Sequence, residues 1–391
     1  MGAACGNGAC IANVIRNNLR HNNTEVLESG YGISMRSLTL FAENMYDKQD
    51  PMEAAAKAIS VIMLKLEGRL IKAHPEYGMN DRLLLDKMDV KTGHVIWEGI
   101  KYSLNDNDFP TVDPKDPYTL TEEEKAVMKE LRAAFLNSAQ LQKHVKFLYE
   151  KGSMYRVFNG NLLYHGCIPF DAHGKFDRME FDGKVYQGKA YLDYADSMAR
   201  EAFLKKTPEA VDFMWFLWSG RKSPLCGRNI RTFERMFLDD ERTWREESNP
   251  YYKFYHQEEV CNMILGEFGL HSETSHIVNG HTPVKTMEGE QPIRANGKLM
   301  VIDGGFCRSM NKATGIAGYT LIFNSHGLRL KAHTPFTSVE DALMNNTDIE
   351  SSSEIIEKDL QRMFVKDTDI GKHLLEEISD LRKLLENYRR L

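Results

Sequence analysis

Ile277-Val278-Asn279-Gly280-His281-Thr282-Pro283-Val284 runs an apolar strand pattern into a histidine that follows glycine and precedes proline. Leu163-Tyr164-His165-Gly166-Cys167-Ile168-Pro169 does the same more than a hundred residues earlier. Neutral imidazole held still is a good ligand for a divalent metal. An adjacent glycine lets the backbone turn sharply and come close to an ion or a phosphate. A single histidine at a strand end is more often structural. Two in matching contexts make paired metal ligation, through His165 and His281, an equal reading.

Further strand patterns surround these motifs. Met154–Phe158 and Leu162–Tyr164 flank Asn159-Gly160, a strong hairpin turn signal. Leu299–Ile302, Tyr319–Phe323 and Leu328–Ala332 follow, the last two joined by Ser325-His326-Gly327. Helical patterns lie around 190–218 and 254–267. This half therefore reads as mixed α and β, with strands ending in polar, glycine-bearing loops where such folds keep their sites.

The first part of the chain has a different period. Residues 8–46 read as short helices. Asp50-Pro51-Met52-Glu53 is a helix start with an Asp cap, Pro at the first position and Glu53 completing a capping box. Ala55, Ala58, Ile59, Ile62, Met63, Leu66 and Leu70 form its apolar face. Glycines and prolines between His74 and Pro117 mark irregular structure, with a short strand or hairpin near Val95-Ile96-Trp97. A second long helix is predicted from Thr121, capped with Glu124, to Gly152. The tail from 341 is charged and predicted helical. Its residues Leu374, Ile378, Leu381, Leu385 and Tyr388 are spaced as a short coiled-coil seam, expected to dock on the body or, failing that, to take a partner helix.

The 391 residues exceed what one small core holds, and a net charge of −6 argues against nucleic acid as a partner. No apolar run approaches a membrane span, and Met1–Gly6 has neither the charged lead nor the apolar centre of a signal peptide. Six cysteines without a CxxC pair read as reduced thiols, which points to the cytoplasm.

Cations recur among glycines. Arg221, Lys222 and Arg228 share the loop Ser219-Gly220-Arg221-Lys222-Ser223-Pro224-Leu225-Cys226-Gly227-Arg228. Asp303–Arg308 and Asn311–Gly315 add Arg308 and Lys312. Arginine forks suit phosphate oxygens and lysine supplies a point charge, although any one of these residues is as readily a solvated surface charge. No Walker loop occurs. Phe213, Trp215, Phe216 and Trp218, just before the basic loop, read as core.

His165-Gly-Cys-Ile-Pro, Asn279-Gly-His281-Thr-Pro-Val-Lys and Val301-Ile-Asp-Gly-Gly-Phe, taken in order, resemble the metallophosphoesterase superfamily. Trp218–Gly227, Asn249-Pro-Tyr-Tyr, Ser309–Thr320 and Ala9–Arg16 are similar to stretches of its bacterial class III fructose-1,6-bisphosphatases. The resemblance implies an α+β fold. It would be a partial metallophosphoesterase-like β-sandwich with flanking helices, divided into a helical remnant of the core (1–45), a helical insertion (46–152), the C-terminal half of the core (153–340) and a helical tail (341–391). It also implies hydrolysis of fructose 1,6-bisphosphate to fructose 6-phosphate and phosphate in gluconeogenesis, at a two-metal site that usually holds manganese. His165 and His281 would serve the second metal, and Arg221, Lys222, Arg228 and Lys312 the substrate's phosphates.

The family's upstream D-x-H, GDxxDR and GNHD motifs, which supply the first metal's ligands, the bridging carboxylate and the protonating histidine, do not occur in this sequence. Met1–Cys5 resembles the segment that follows GNHD. The chain is therefore expected to be the C-terminal part of such an enzyme, from a split or frame-shifted gene or a late start. Three readings stand: a half-enzyme that pairs with a separate N-terminal chain, a catalytically inactive remnant, or a metallophosphoesterase acting on phosphoproteins or dinucleoside polyphosphates. Homo-oligomer formation is left open.

Overall fold

The computed structural model describes residues 1–391 except 272, 306–309, 316–317, 334–337, 347–350, 359–360 and 389–391, and the side chain of residue 311. The chain forms two compact units. One comprises Met1–Met154 and Cys167–Asn249; the other comprises Tyr155–Gly166 and Pro250–Leu391.

The first unit is mainly helical. Its centre is the helix Pro51–Ala73, where Asp50 accepts a hydrogen bond from the Met52 amide and Pro51 takes the first position. The predicted return bond from Glu53 is not among the described contacts. The predicted single apolar face is too narrow: Ala54, Val61 and Leu64 are also buried, whereas Leu66 and Leu70 are half-buried. A helix surrounded by others buries most of its circumference. Here the helices Gly8–Arg20, Arg36–Met45 and Glu122–Asn137 join it in one apolar core.

That burial encloses Lys65, whose ammonium lies 2.7 Å from Glu124 Oε2, with neither side chain exposed. The same Glu124 oxygen accepts from the Thr121 amide, so the predicted capping box is present and is tied to the neighbouring helix. Lys65 also donates to the Thr111 carbonyl at 2.6 Å.

The long helix predicted over 121–152 is two, Glu122–Asn137 and Ala139–Lys151. Ser138 is extended at the break. Its hydroxyl accepts from the Leu141 amide and donates to the Tyr31 carbonyl at 2.6 Å. Serine competes for backbone partners in this way, which favours a cap over a helix interior. The 190–218 pattern is likewise divided, into Gly188–Leu204 and Pro208–Ser219. Phe213, Trp215 and Phe216 are buried as expected and Trp218 is half-buried. Strands are few in this unit. His94–Trp97 pairs with Ile100–Ser103 at the predicted position, and with Met88–Asp89 on its other side.

The second unit holds the sheet that matters for the site. Its strand order is Tyr155–Phe158, Asn161–Tyr164, Ile277–Asn279, Leu299–Val301, Ile293–Arg294. The first pair is the predicted hairpin, with positive φ at both Asn159 and Gly160 as a two-residue turn of this hand requires. The three central strands are parallel, with Leu162 opposite Ile277 and Ile277 opposite Leu299. Parallel strands need crossovers, and the crossover between the first two contains most of the chain between residues 165 and 276.

The predicted hairpin Gly318–Asn324 and Gly327–His333 is also present. Its second strand pairs with Ser351–Lys358. This third strand corrects the expectation of a wholly helical tail; alternating exposure there is weak, so its period was not readable. Val278 and Met300 of the mixed sheet pack with Leu328, Leu321, Phe323 and Ile356 of the antiparallel one. His276 Nε2 bonds Glu357 at 2.8 Å, fastening the late strand to the entrance of a central one. The tail helix runs Asp369–Tyr388, and its predicted seam is exposed rather than docked.

Among the described residues no helix is long and apolar enough to cross a membrane. Cys5, Cys10, Cys167, Cys226 and Cys261 are buried and unbridged among the described residues, and Cys307 lies outside them.

Candidate functional site

The three parallel strands end at one edge of the sheet, which is where open α/β sheets bind ligands. The residues leaving that edge are His165, Gly280-His281 and Asp303. Backbone bonds fix their relative positions. The Gly280 amide donates to the His165 carbonyl at 3.0 Å, and the Val284 amide donates to the Asp303 carbonyl at 2.9 Å. Asp303 Oδ1 in turn accepts from the Gly305 amide at 3.0 Å, closing the turn after its strand.

His281 has φ of 69°, a left-handed value uncommon outside glycine. The Thr282 amide donates across it to the Gly280 carbonyl at 2.8 Å. A bond from i+2 to i around a positive φ is the strained form of the γ-turn. Strain of this kind persists only where the surroundings over-determine it, and it concentrates at functional sites.

The strained turn aims the ring inward. His281 Nδ1 lies 3.0 Å from His165 Nε2, with the ring centroids 4.8 Å apart and the planes at 65°. Partial burial lowers the His165 pKa below the ordinary imidazole value, opposed by the negative charge of Asp303. His165 is therefore neutral near pH 7 and offers a lone pair.

Beneath the histidines lies a buried polar chain. Asn279 Nδ2 donates to the Tyr251 hydroxyl at 2.8 Å, and the hydroxyls of Tyr251 and Tyr164 are 2.6 Å apart. Asn279 and Tyr164 are the last residues of adjacent central strands, so this chain sets the height at which both histidines emerge. Asn279 Oδ1 is buried and has no hydrogen-bond partner among the described residues.

Two nitrogens bound to one ion at the usual metal–imidazole distance are about 3 Å apart, so the observed spacing fits two positions on a shared ion. Among the described residues no group of three or more His, Cys, Asp or Glu side chains is placed to hold a metal. The pair fits as part of a coordination shell and does not complete one.

The predicted phosphate ligands are distributed. Arg221, Lys222 and Arg228 belong to the first unit and Lys312 to the second. Arg221 pairs with Glu247 at 2.9 Å, Lys222 with Asp177 at 2.8 Å, and Arg228 reaches Glu246 at 3.9 Å. Arg221 and Lys222 line a polar cavity of about 680 Å³ with Arg178, Glu180 and Asp182. Lys312 is exposed on the short helix Asn311–Thr314, and Arg308 lies outside the described residues. Sequence reasoning passed over Asp303 as a site residue and missed the Asn279–Tyr251–Tyr164 chain. The signal for Asp303 was available, since it follows a third apolar strand just as His165 and His281 follow theirs.

These features describe an α+β protein with a histidine pair at the carboxyl edge of a parallel sheet. The family described as Firmicute fructose-1,6-bisphosphatase matches residues 1–390, and the chain belongs to that family. It is 49% identical over 416 aligned residues to the fructose-1,6-bisphosphatase class 3 of Clostridium novyi (strain NT), an alignment covering 100% of this chain and 62% of that relative. It is 48% identical to the class 3 enzyme of Listeria innocua serovar 6a, covering 100% of this chain and 64% of the relative. The corresponding Clostridium tetani protein gives 48% identity, with 63% of its length covered. The chain thus spans somewhat less than two thirds of these relatives. No solved structure matches it.

Proposed function

We propose that the chain takes part in hydrolysing fructose 1,6-bisphosphate to fructose 6-phosphate and inorganic phosphate, with His165 and His281 as two ligands of a divalent metal, manganese in the first instance. Membership of the fructose-1,6-bisphosphatase family supports the reaction. The observation that carries the site is the 3.0 Å approach of the two imidazoles at adjacent strand ends. On this reading the mixed and antiparallel sheets are the C-terminal half of a metallophosphoesterase-like sandwich, and the protein works in the cytoplasm.

A divalent ion in such a site polarises a phosphoryl oxygen and makes bound water nucleophilic near neutral pH. The chain's own residues prepare for it. His165 stays unprotonated through partial burial, the γ-turn directs His281 Nδ1 toward it, and the Tyr251–Asn279 bond steadies the strand behind. Arg221, Lys222, Arg228 and Lys312 are the proposed contacts for the substrate's phosphates.

Two imidazoles hold a metal weakly without further anionic ligands. The remaining ligands are proposed to come from a segment carrying the D-x-H, GDxxDR and GNHD motifs. The test is co-expression of this chain with such a segment, followed by manganese-dependent phosphate release from fructose 1,6-bisphosphate. Activity in the combined preparation, absent from this chain alone and from a combination carrying His281→Ala, is the expected result. Combined chains that neither associate nor release phosphate would leave an inactive remnant as the correct reading. Preference for a phosphopeptide or a dinucleoside polyphosphate in the same assay would overturn the substrate assignment.

A further inference from the structure

The helix Asp369–Tyr388 is fixed at its root and bare along its length. At the root the Asn159 amide donates to Asp369 Oδ2 at 2.7 Å, and the Asp369 amide donates back to Asn159 Oδ1 at 3.0 Å. Gly371 sits against the Val365 carbonyl so closely that a Cβ there would overlap it. Beyond this anchor Leu374, Ile378, Leu381, Leu385 and Tyr388 are all at least 43% exposed. Their spacing of four, three, four and three places them on one stripe, the d and a positions of successive heptads. Leu375 and Leu384 widen the stripe on either side and are exposed as well. A continuous apolar face of this size is not left to water on a soluble chain.

The flanking charges say what covers it. With Ile378 and Leu385 at a positions, Glu377 occupies g and Arg382 the following e. In a parallel two-stranded coil each g residue faces the e residue five positions on in the other helix. That brings Glu377 of each copy to Arg382 of the other. Arg382 has no ion pair among the described residues, so it is available for this one, while Glu377 lies 3.3 Å from His373 Nε2 of its own helix and would share its carboxylate between the two. An antiparallel pairing centred on the stripe would instead set Glu377 against Leu384. The opposite face mixes Glu376, Asp380 and Glu386 with Lys372 and Lys383, which is not the basic face of a helix that lies on anionic lipid.

We propose that this helix is a self-association surface, two copies of the chain pairing in parallel through the 374–388 stripe with reciprocal Glu377–Arg382 contacts.

Sedimentation equilibrium of the 391-residue chain over a wide concentration range tests it. The expected result is a monomer–dimer equilibrium that Ile378→Asp and Leu381→Asp each abolish, with thermal unfolding unchanged at concentrations where the wild type is itself monomeric, because both side chains are exposed in one copy. Glu377→Arg or Arg382→Glu should raise the dissociation constant about tenfold, since each converts two attractive surface pairs into repulsive ones. The double exchange should restore it. Leu374→Cys should form an intermolecular disulfide under mild oxidation, as only a parallel pairing brings equal positions together at that end of the stripe. A monomer at every concentration overturns the proposal. So does a dimer indifferent to Ile378→Asp, a double exchange no tighter than either single one, or a Leu374→Cys chain that does not cross-link.

Discussion

His165 Nε2 and His281 Nδ1 meet at 3.0 Å although 116 positions of sequence separate them. Only one proton fits between two facing ring nitrogens, so the contact holds when at least one ring is neutral, and partial burial of His165 favours that state. A divalent cation that takes the place of the shared proton would sit off the line between the nitrogens, about 2 Å from each, with both rings turned to face it. Titration of the chain with cobalt(II), followed by its visible absorption, should therefore show binding that His165→Ala and His281→Ala each weaken at least tenfold, a floor set by the effect of losing even an outer-shell partner. Unchanged binding in both variants would show that the pair is not a ligand set.

The buried Lys65–Glu124 contact makes a second expectation quantitative. With neither side chain exposed, removal of one partner leaves an uncompensated charge in the core. Lys65→Met or Glu124→Gln should lower stability by about 3–5 kcal/mol, read from urea unfolding, and the double change should cost less than the sum. Glu124→Gln retains the capping geometry, so a comparable loss in Thr121→Ala would assign the effect to the cap instead.

Gly68 lies in the interior of a long helix, where alanine is normally the better residue by about 1 kcal/mol. Here a Cβ would overlap the ring of buried Tyr118. The ring is further held by the Lys72 ammonium 4.4 Å above it. Gly68→Ala should consequently destabilise by about 1–3 kcal/mol in spite of its propensity gain. A rise in melting temperature would show that Tyr118 yields easily.

His74 gives a pH dependence with a definite sign. Its Nε2 bonds Asp212 at 3.2 Å and its Nδ1 bonds Glu76 at 2.8 Å. Two carboxylate acceptors require both ring nitrogens to donate, so the imidazolium is favoured. The hydrogen bond to Asp212 raises the pKa above the ordinary 6.5, outweighing partial burial. The stabilisation is full below 6.5 and is lost as the pH rises through the folded-state value. The difference in melting temperature between the wild type and His74→Gln should therefore be largest in mildly acidic buffer and shrink above neutrality.

Much of the second unit was legible because its signals are local. Asn159-Gly160 and Ser325-His326 declare their hairpins through turn chemistry, and the two histidine motifs declare strand ends through apolar runs that stop at glycine. The misreadings share a different character. Ser138 breaks a helix that periodicity alone continues, because its hydroxyl finds the Tyr31 carbonyl 107 positions away. The strand Ser351–Lys358 was read as helix because its partner, Gly327–His333, supplies the order that its own alternation lacks. The cations of the 219–228 loop read in sequence as phosphate contacts or solvated surface charges and are paired with Asp177, Glu246 and Glu247 in the fold. In each case the deciding partner lay far off in the chain.

The three central strands place residues near 165, 281 and 303 at one edge only after their parallel pairing is complete. During synthesis, then, the histidine pair cannot form until the strand Ile277–Asn279 and His281 have left the ribosome, more than a hundred residues after His165 has emerged. Nascent chains that end between His281 and Val301 would carry both histidines of the site and still lack the strand that completes the edge where they meet.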